Sequence, residues 1–373
     1  MIRQAIAASS ALALVLGAGS ALAAEFEVGV GGDYEVLIGY GSSDVANLSG
    51  EDFDGVDVKT EGGIEFRAKI DLDSGIEIGG VVVLEATTDD EDQIDESYMF
   101  IDSAFGMVEL GSRVSGAYTM SFAAPDVTFL NINDGQTGDF IPFDGEAGPL
   151  LTGSDTGLGT LNSTFIENGG NDNAQRFTYF TPRLAGFQLG LSYARDPLED
   201  DNSQVDLNGD ELNNILDVGV NYVAEFDPVT VAVSGRWGIA FNDIPGAENP
   251  QIYAAGINLG FAGVTIGGSF AEQNNTELSD GTAFDVGISY ETGPWSASFT
   301  YMNGENLDDE NSLLGADEEL DQYLVGVTYN VAEGVDVGIY GAYVDFEEDI
   351  GDAGGDGDDV DGFIIGTGIA IGF

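Results

Sequence analysis

The side chains in this sequence that could do chemistry are almost all carboxylates. Its 373 residues hold 67 Asp and Glu against 9 Lys and Arg, a formal net charge of −58, with no His and no Cys. Without a thiol there is no disulfide, no thiolate nucleophile and no thiolate metal site. Without an imidazole, Ser-His-Asp and Cys-His catalysis and His-ligated zinc or haem are excluded. Carboxylates can still select ions electrostatically and ligate hard cations such as calcium. A polyphosphate would be repelled, so no nucleic-acid partner is expected.

The acids occur in two settings. The first is a set of strongly acidic connections. Asp200, Asp201, Asp206, Asn208, Asp210 and Glu211 have a spacing faintly like a calcium loop but lack its full twelve-residue ligand order. Asp201, Asp206, Asn208 and Asp210 are the candidate calcium ligands. Residues 345–361 carry nine acids, among them Asp356, Asp358 and Asp359. Either stretch could bridge calcium between loops, or form a solvated, like-charged surface. No other cofactor is implied. The second setting is residues 115–173, which also hold Phe122, Pro125, Phe129, Leu130, Phe140, Pro142 and Phe143. The carboxylates there are Asp126, Asp134, Asp139, Asp144, Glu146 and Asp155.

The elements that must position these groups follow from periodicity. Residues 1–23 read as a signal peptide, with Arg3 ahead of a short apolar run and Ala21-Leu22-Ala23 as the cleavage pattern. The stretch is too short and interrupted for a membrane anchor. From 24 to 373 apolar residues recur with period two. Phe26, Val28, Val30, Tyr34, Val36, Ile38 and Tyr40 alternate with Glu27, Gly29, Gly31, Asp33, Glu35, Leu37 and Gly39. A helix would space them by three and four, so these are strands. Sixteen are expected, near 25–41, 62–73, 75–87, 95–103, 106–114, 174–182, 186–195, 214–224, 229–240, 250–261, 264–272, 282–290, 295–303, 320–330, 335–346 and 360–373.

Tight Gly- and Pro-containing turns such as Asp73-Ser74-Gly75 and Ala262-Gly263 alternate with long acidic connections. That alternation describes an all-β, up-and-down antiparallel barrel, and not a Greek-key sandwich. The strands are long enough to cross a bilayer when tilted. Aromatics gather at strand ends, as with Tyr40, Phe187, Tyr193, Tyr222, Phe261, Tyr290, Trp295, Tyr301, Tyr329 and Phe373. A barrel of sixteen strands is too wide to be filled by one layer of side chains. Its polar face must therefore line a wet lumen and its apolar face must meet lipid.

Residues 115–173 separate two strands by far more than an ordinary loop. They are expected to fold into the lumen as a constriction, the other reading being an external lid or contact loop. Strand parity puts Arg67, Lys69, Arg113, Arg176 and Arg236 on the lumen side. Arg183 falls in a turn, Arg195 at a strand end and Lys59 in a loop. The cations either face the acidic loop across the narrowest point, creating a transverse field, or pair with nearby carboxylates to hold the loop. The net charge favours cation passage.

The sequence resembles the Gram-negative general porins, particularly the alphaproteobacterial type. Arg176 to Pro182 with Leu184-Ala185-Gly186-Phe187 and Leu189 to Tyr193 is similar to the hairpin after the constriction loop, and Tyr98 to Arg113 to the hairpin before it. The last strand, with Phe363, Ile365, Ile369, Ile371 and terminal Phe373, resembles the signal for outer-membrane insertion. The resemblance implies a sixteen-stranded, homotrimeric, transmembrane β-barrel in the outer membrane, with its third long loop in the pore. It implies a non-enzymatic channel for ions and small hydrophilic solutes, in contact with lipid and lipopolysaccharide. The alternative is a secreted calcium-dependent surface or adhesion protein, which leaves the terminal strand unexplained.

Overall fold

The fold is described from a computed structural model covering residues 26–45, 54–86, 93–143, 159–167, 173–199, 212–242, 248–274, 280–307, 317–349 and 359–373. The proposed signal peptide lies outside the described residues.

The alternating segments form sixteen strands. They are β1 (Glu27–Val45), β2 (Gly55–Asp71), β3 (Glu77–Glu85), β4 (Ile94–Ser103), β5 (Gly106–Ser112), β6 (Ala174–Phe180), β7 (Phe187–Glu199) and β8 (Leu212–Phe226), followed by β9 (Val229–Asn242), β10 (Gln251–Phe261), β11 (Val264–Asn274), β12 (Asp280–Thr292), β13 (Trp295–Leu307), β14 (Asp317–Ala332), β15 (Val335–Asp349) and β16 (Val360–Gly372). Each pairs antiparallel with its sequence neighbours. β16 returns to β1 in unbroken register from Asp33↔Gly372 to Val45↔Val360, which closes the barrel and removes every sheet edge. The short turns need left-handed backbone: Gly334, between β14 and β15, has φ 72° and lies against the Gly372 carbonyl with no room for a side chain.

Several strands run further than the alternation alone suggests, mostly toward the long-connection end. β2 is the clearest case. It begins at Gly55, so Lys59 belongs to a strand and not to a loop. The alternation was hidden there by Asp57, Lys59 and Glu61 on one face and Val56, Val58 and Thr60 on the other, in a stretch too charged to read as membrane strand.

The outside is apolar. Phe66, Val82, Met99, Ile101, Val286, Ile288, Phe299, Val325, Ile365 and Ile369 are all exposed on one parity. Aromatic belts border this surface. Toward the long connections, Tyr301 lies 5.7 Å from Phe284 and 4.8 Å from Tyr323, and Tyr323 lies 6.3 Å from Tyr343. Toward the short turns, Trp295 stacks on Tyr329 at 4.7 Å and Phe187 on Tyr222 at 4.6 Å. Amphipathic rings at both borders of an apolar band are the pattern of a barrel spanning a bilayer.

The inside departs from the all-polar wall expected from parity. Leu37, Met302, Leu320, Leu324, Tyr340, Val344, Phe346, Val360 and Ile364 point inward and are buried with Phe129, Leu130, Ile132, Phe140, Ile141 and Phe143 of the long connection. The main hydrophobic core therefore sits inside the barrel, between one side of the wall and the segment that follows β5.

Candidate functional site

The long connection starts at Ser115. The Ser115 side chain caps a short helix, α1 (Gly116–Thr119), by accepting from the Tyr118 N–H at 3.1 Å. Its backbone N–H donates to Glu167 at 2.7 Å, which ties the start of the connection to its end. The outgoing limb then follows the inner wall. Phe122 N–H donates to Ser234 on β9 (2.9 Å), Ala124 N–H to Asp285 on β12 (2.7 Å) and Val127 N–H to Ser298 on β13 (3.0 Å). Farther on, the Thr137 hydroxyl donates to Gln322 of β14, and Gln136 donates to Glu61 of β2.

Glycines make the seats. A Cβ on Gly368 would stand 2.6 Å from the Phe129 ring, and one on Gly39 would stand 2.7 Å from the Phe140 ring. Both residues have the parity opposite to the exposed apolar face, which fixes the segment inside the barrel. Gly39 and Gly368 are thus sockets for aromatic rings, and Gly256 and Gly304 give the backbone of the segment the same close approach.

The returning limb includes a 3₁₀ turn at Gly159–Leu161. Thr160 bonds the Glu305 carbonyl and the Asn306 side chain at 3.1 Å each. Outgoing and returning limbs meet at Asp285, which is 3% exposed. One carboxylate oxygen accepts from Ala124 N–H and Ser269 N–H, both at 2.7 Å. The other accepts from Asn133 (2.9 Å), Thr164 (3.0 Å) and the Ser269 hydroxyl (2.6 Å). A buried carboxylate is tolerated when its lone pairs are filled in this way. The residue escaped the sequence reading because only basic residues served as wall markers. An acid in mid-strand, on an inner face otherwise made of Gly281, Ala283, Gly287 and Ser289 up to Glu291 at the turn, was the available signal.

The acidic candidates have different fates. Asp126 turns back into its own segment, accepting from Thr128 N–H (2.7 Å), Ile132 N–H (3.0 Å) and Ser298 (3.2 Å). Burial pushes its carboxyl above the ordinary range, against those hydrogen bonds. Asp134 and Asp139 are exposed. Asp139 shares a cavity of about 320 Å³ with Asp54, Asp57, Lys59 and Phe140. Asp144, Glu146 and Asp155 lie outside the described residues, as do the calcium candidates Asp201, Asp206, Asn208 and Asp210.

All five basic candidates have inner parity, but they do not act alike. Arg176 and Arg236 are buried at 5% and 6% exposure. Arg176 lies 3.9 Å from Glu167, and Arg236 donates to the Ile166 carbonyl, so both grip the returning limb. Lys69 pairs with Glu77 at 2.7 Å near the short-turn end. Arg113, just past β5, pairs with Glu109 and Glu96 and lies over the Tyr98 ring at 4.5 Å. Lys59 is a sixth inward cation, paired with Asp57 at 2.8 Å. Arg67 is exposed and stacks on Phe100. The described part of the inserted segment touches the wall from β6 round to β2, while Arg67 and Lys69 project from β2 and Arg113 from the end of β5. Such a lumen can sort charged solutes.

The fold aligns with solved porins. The outer-membrane channel DcaP of Acinetobacter baumannii superposes with a TM-score of 0.62 at 14% identity, covering 96% of this chain and 100% of that one. The porin from Comamonas acidovorans, described as anion-selective, gives 0.57 at 16% identity over 94% and 100%. OmpT of Vibrio cholerae, solved in a trimer form, gives 0.57 at 12% identity over 93% and 99%. Among curated sequences, uncharacterised proteins of Rickettsia felis and Rickettsia conorii are 24% identical over 57% of this chain and 26% over 43%. Those matches span 42% and 34% of the relatives' own lengths, so this chain aligns with less than half of each. The Gram-negative porin family matches residues 8–349. With that match, the closed sixteen-strand barrel and the apolar outer band, the chain belongs to the Gram-negative porins, non-enzymatic channels of the outer membrane.

Proposed function

We propose that the protein is a passive diffusion channel for ions and small hydrophilic solutes, with a preference for cations. The observation that carries the reading is the lining. An inserted segment presents exposed Asp134 and Asp139, in a chain of net charge −58 whose inward cations mostly already hold carboxylate partners. Acidic groups around a narrow passage lower the energy of cations there. The Comamonas neighbour is described as anion-selective; the acid excess here favours the opposite sign. In this reading residues 115–173 narrow the lumen, and Arg67, Lys69 and Arg113 face the acids across it.

Export through a cleaved signal at residues 1–23 and assembly as a homotrimer complete the proposal, the latter supported by the trimeric form of the Vibrio neighbour. The secreted-adhesion alternative gives no account of the exposed apolar band. The test is the zero-current potential of the refolded protein in a planar bilayer under a KCl gradient. A potential of anion-selective sign refutes the cation preference, and a bilayer without conductance steps refutes the channel.

A further inference from the structure

We propose that Phe100 is the positioning residue for Arg67, and that the guanidinium held on its ring is the contact point for anions in an otherwise acidic lumen. The inference deepens the channel reading and rests on it. Arg67 and Phe100 belong to β2 and β4, with β3 between them. The Arg67 guanidinium carbon lies 4.6 Å from the Phe100 ring centroid, within the range of a cation–π contact.

The ring is itself fixed. Phe100 is 2% exposed, and it lies directly over Gly79 of β3, where the Cβ of any other residue would collide with it. The platform thus consists of a glycine on one strand and an aromatic on the next, with the cation laid across from a third.

The charge state of the wall singles out Arg67. Lys59, Lys69, Arg113 and Arg176 each have a carboxylate within ion-pair distance, and Arg236 is buried against a backbone carbonyl. Among the described residues, Arg67 is the one exposed inward cation whose partner is a ring and not a carboxylate. A ring holds a guanidinium in place without cancelling its charge, so the N–H groups at its edge stay available to an anion. The neighbouring wall leaves room, because nothing lies within 4 Å of where a side chain on Gly29, directly opposite Arg67 in register, would begin.

The test is the cation-to-anion permeability ratio of the refolded channel in a KCl gradient, with Phe100→Leu, Phe100→Tyr and Arg67→Gln beside the unaltered protein. Leucine fills similar space without a π face, whereas tyrosine keeps the face. Arg67→Gln should raise the cation ratio most. Phe100→Leu should raise it by about two- to fivefold, the change in population that an exposed cation–π contact is worth. Phe100→Tyr should stay near the original value. An unchanged ratio in Arg67→Gln overturns the contact point. A ratio in Phe100→Leu equal to the original, or shared by Phe100→Tyr, overturns the positioning role. A wild-type protein that passes no ions would instead overturn the channel reading beneath both.

Discussion

Replacing Asp285 with Ala should free the inserted segment while leaving the barrel closed. Five hydrogen bonds converge on this one carboxylate from the outgoing limb, the returning limb and β11. The two hydroxyls and the Asn133 amide can find other partners, since Thr164 already bonds the Asn133 oxygen at 3.0 Å. The buried Ala124 N–H loses its acceptor, and so does the Ser269 N–H. A buried donor left unsatisfied costs about 1–3 kcal/mol, and hydrogen bonds to a charged group are worth about 1.5–3 kcal/mol each. Because the five share one acceptor they do not add. A net weakening of about 3 kcal/mol follows for the closed arrangement, roughly a hundredfold rise in the population of the displaced segment. The barrel should persist, since the β11–β12 and β12–β13 ladders extend well beyond Ser269, the one strand residue whose backbone N–H bonds this side chain.

The assay is single-channel recording. Asp285→Ala should show frequent transient closures or enlarged conductance in channels that still insert. Asp285→Asn keeps one acceptor oxygen for Ala124 and Ser269 but turns an NH₂ toward the Asn133 amide, so it should be milder. Quiet, unaltered conductance in a folded Asp285→Ala barrel would refute the clasp.

Other consequences follow from the same geometry. Gly368→Ala drives a Cβ into the Phe129 ring, an overpacking of about 1–3 kcal/mol that should lower the melting temperature, while Gly29→Ala, which meets nothing, should leave it in place. Raising KCl from 0.1 to 1 M shortens the screening length from about 10 Å to about 3 Å, so the cation preference should shrink; a zero-current ratio independent of salt would argue against long-range charge as its source. Arg236→Ala releases the Ile166 carbonyl and should increase channel noise without changing the sign of selectivity. If Asp201, Asp206, Asn208 and Asp210 hold structural calcium, a chelator should lower the melting temperature, and coincident melting curves would remove calcium from the account.

The period-two alternation, read alone, determined the sixteen strands, their inward and outward faces and the order of tight turns and long connections. It could do so because side-chain direction along a strand is a local property of the backbone. The same parity puts Arg67, Lys69, Arg113, Arg176 and Arg236 on the inner face. What parity could not reach was what each inward group meets. Asp126 reads in the sequence as a lumen acid, yet it is spent on the backbone of its own segment and on Ser298, 172 positions away. Arg236 reads as a wall cation, yet it holds Ile166. Gly39 and Gly368 read only as small residues on the inner face, yet they are sockets for Phe140 and Phe129. Those partners are brought together by the closure of the barrel and the path of one segment through it. Only the tertiary structure could decide which charges are cancelled and which, as at Arg67, are left facing the passage.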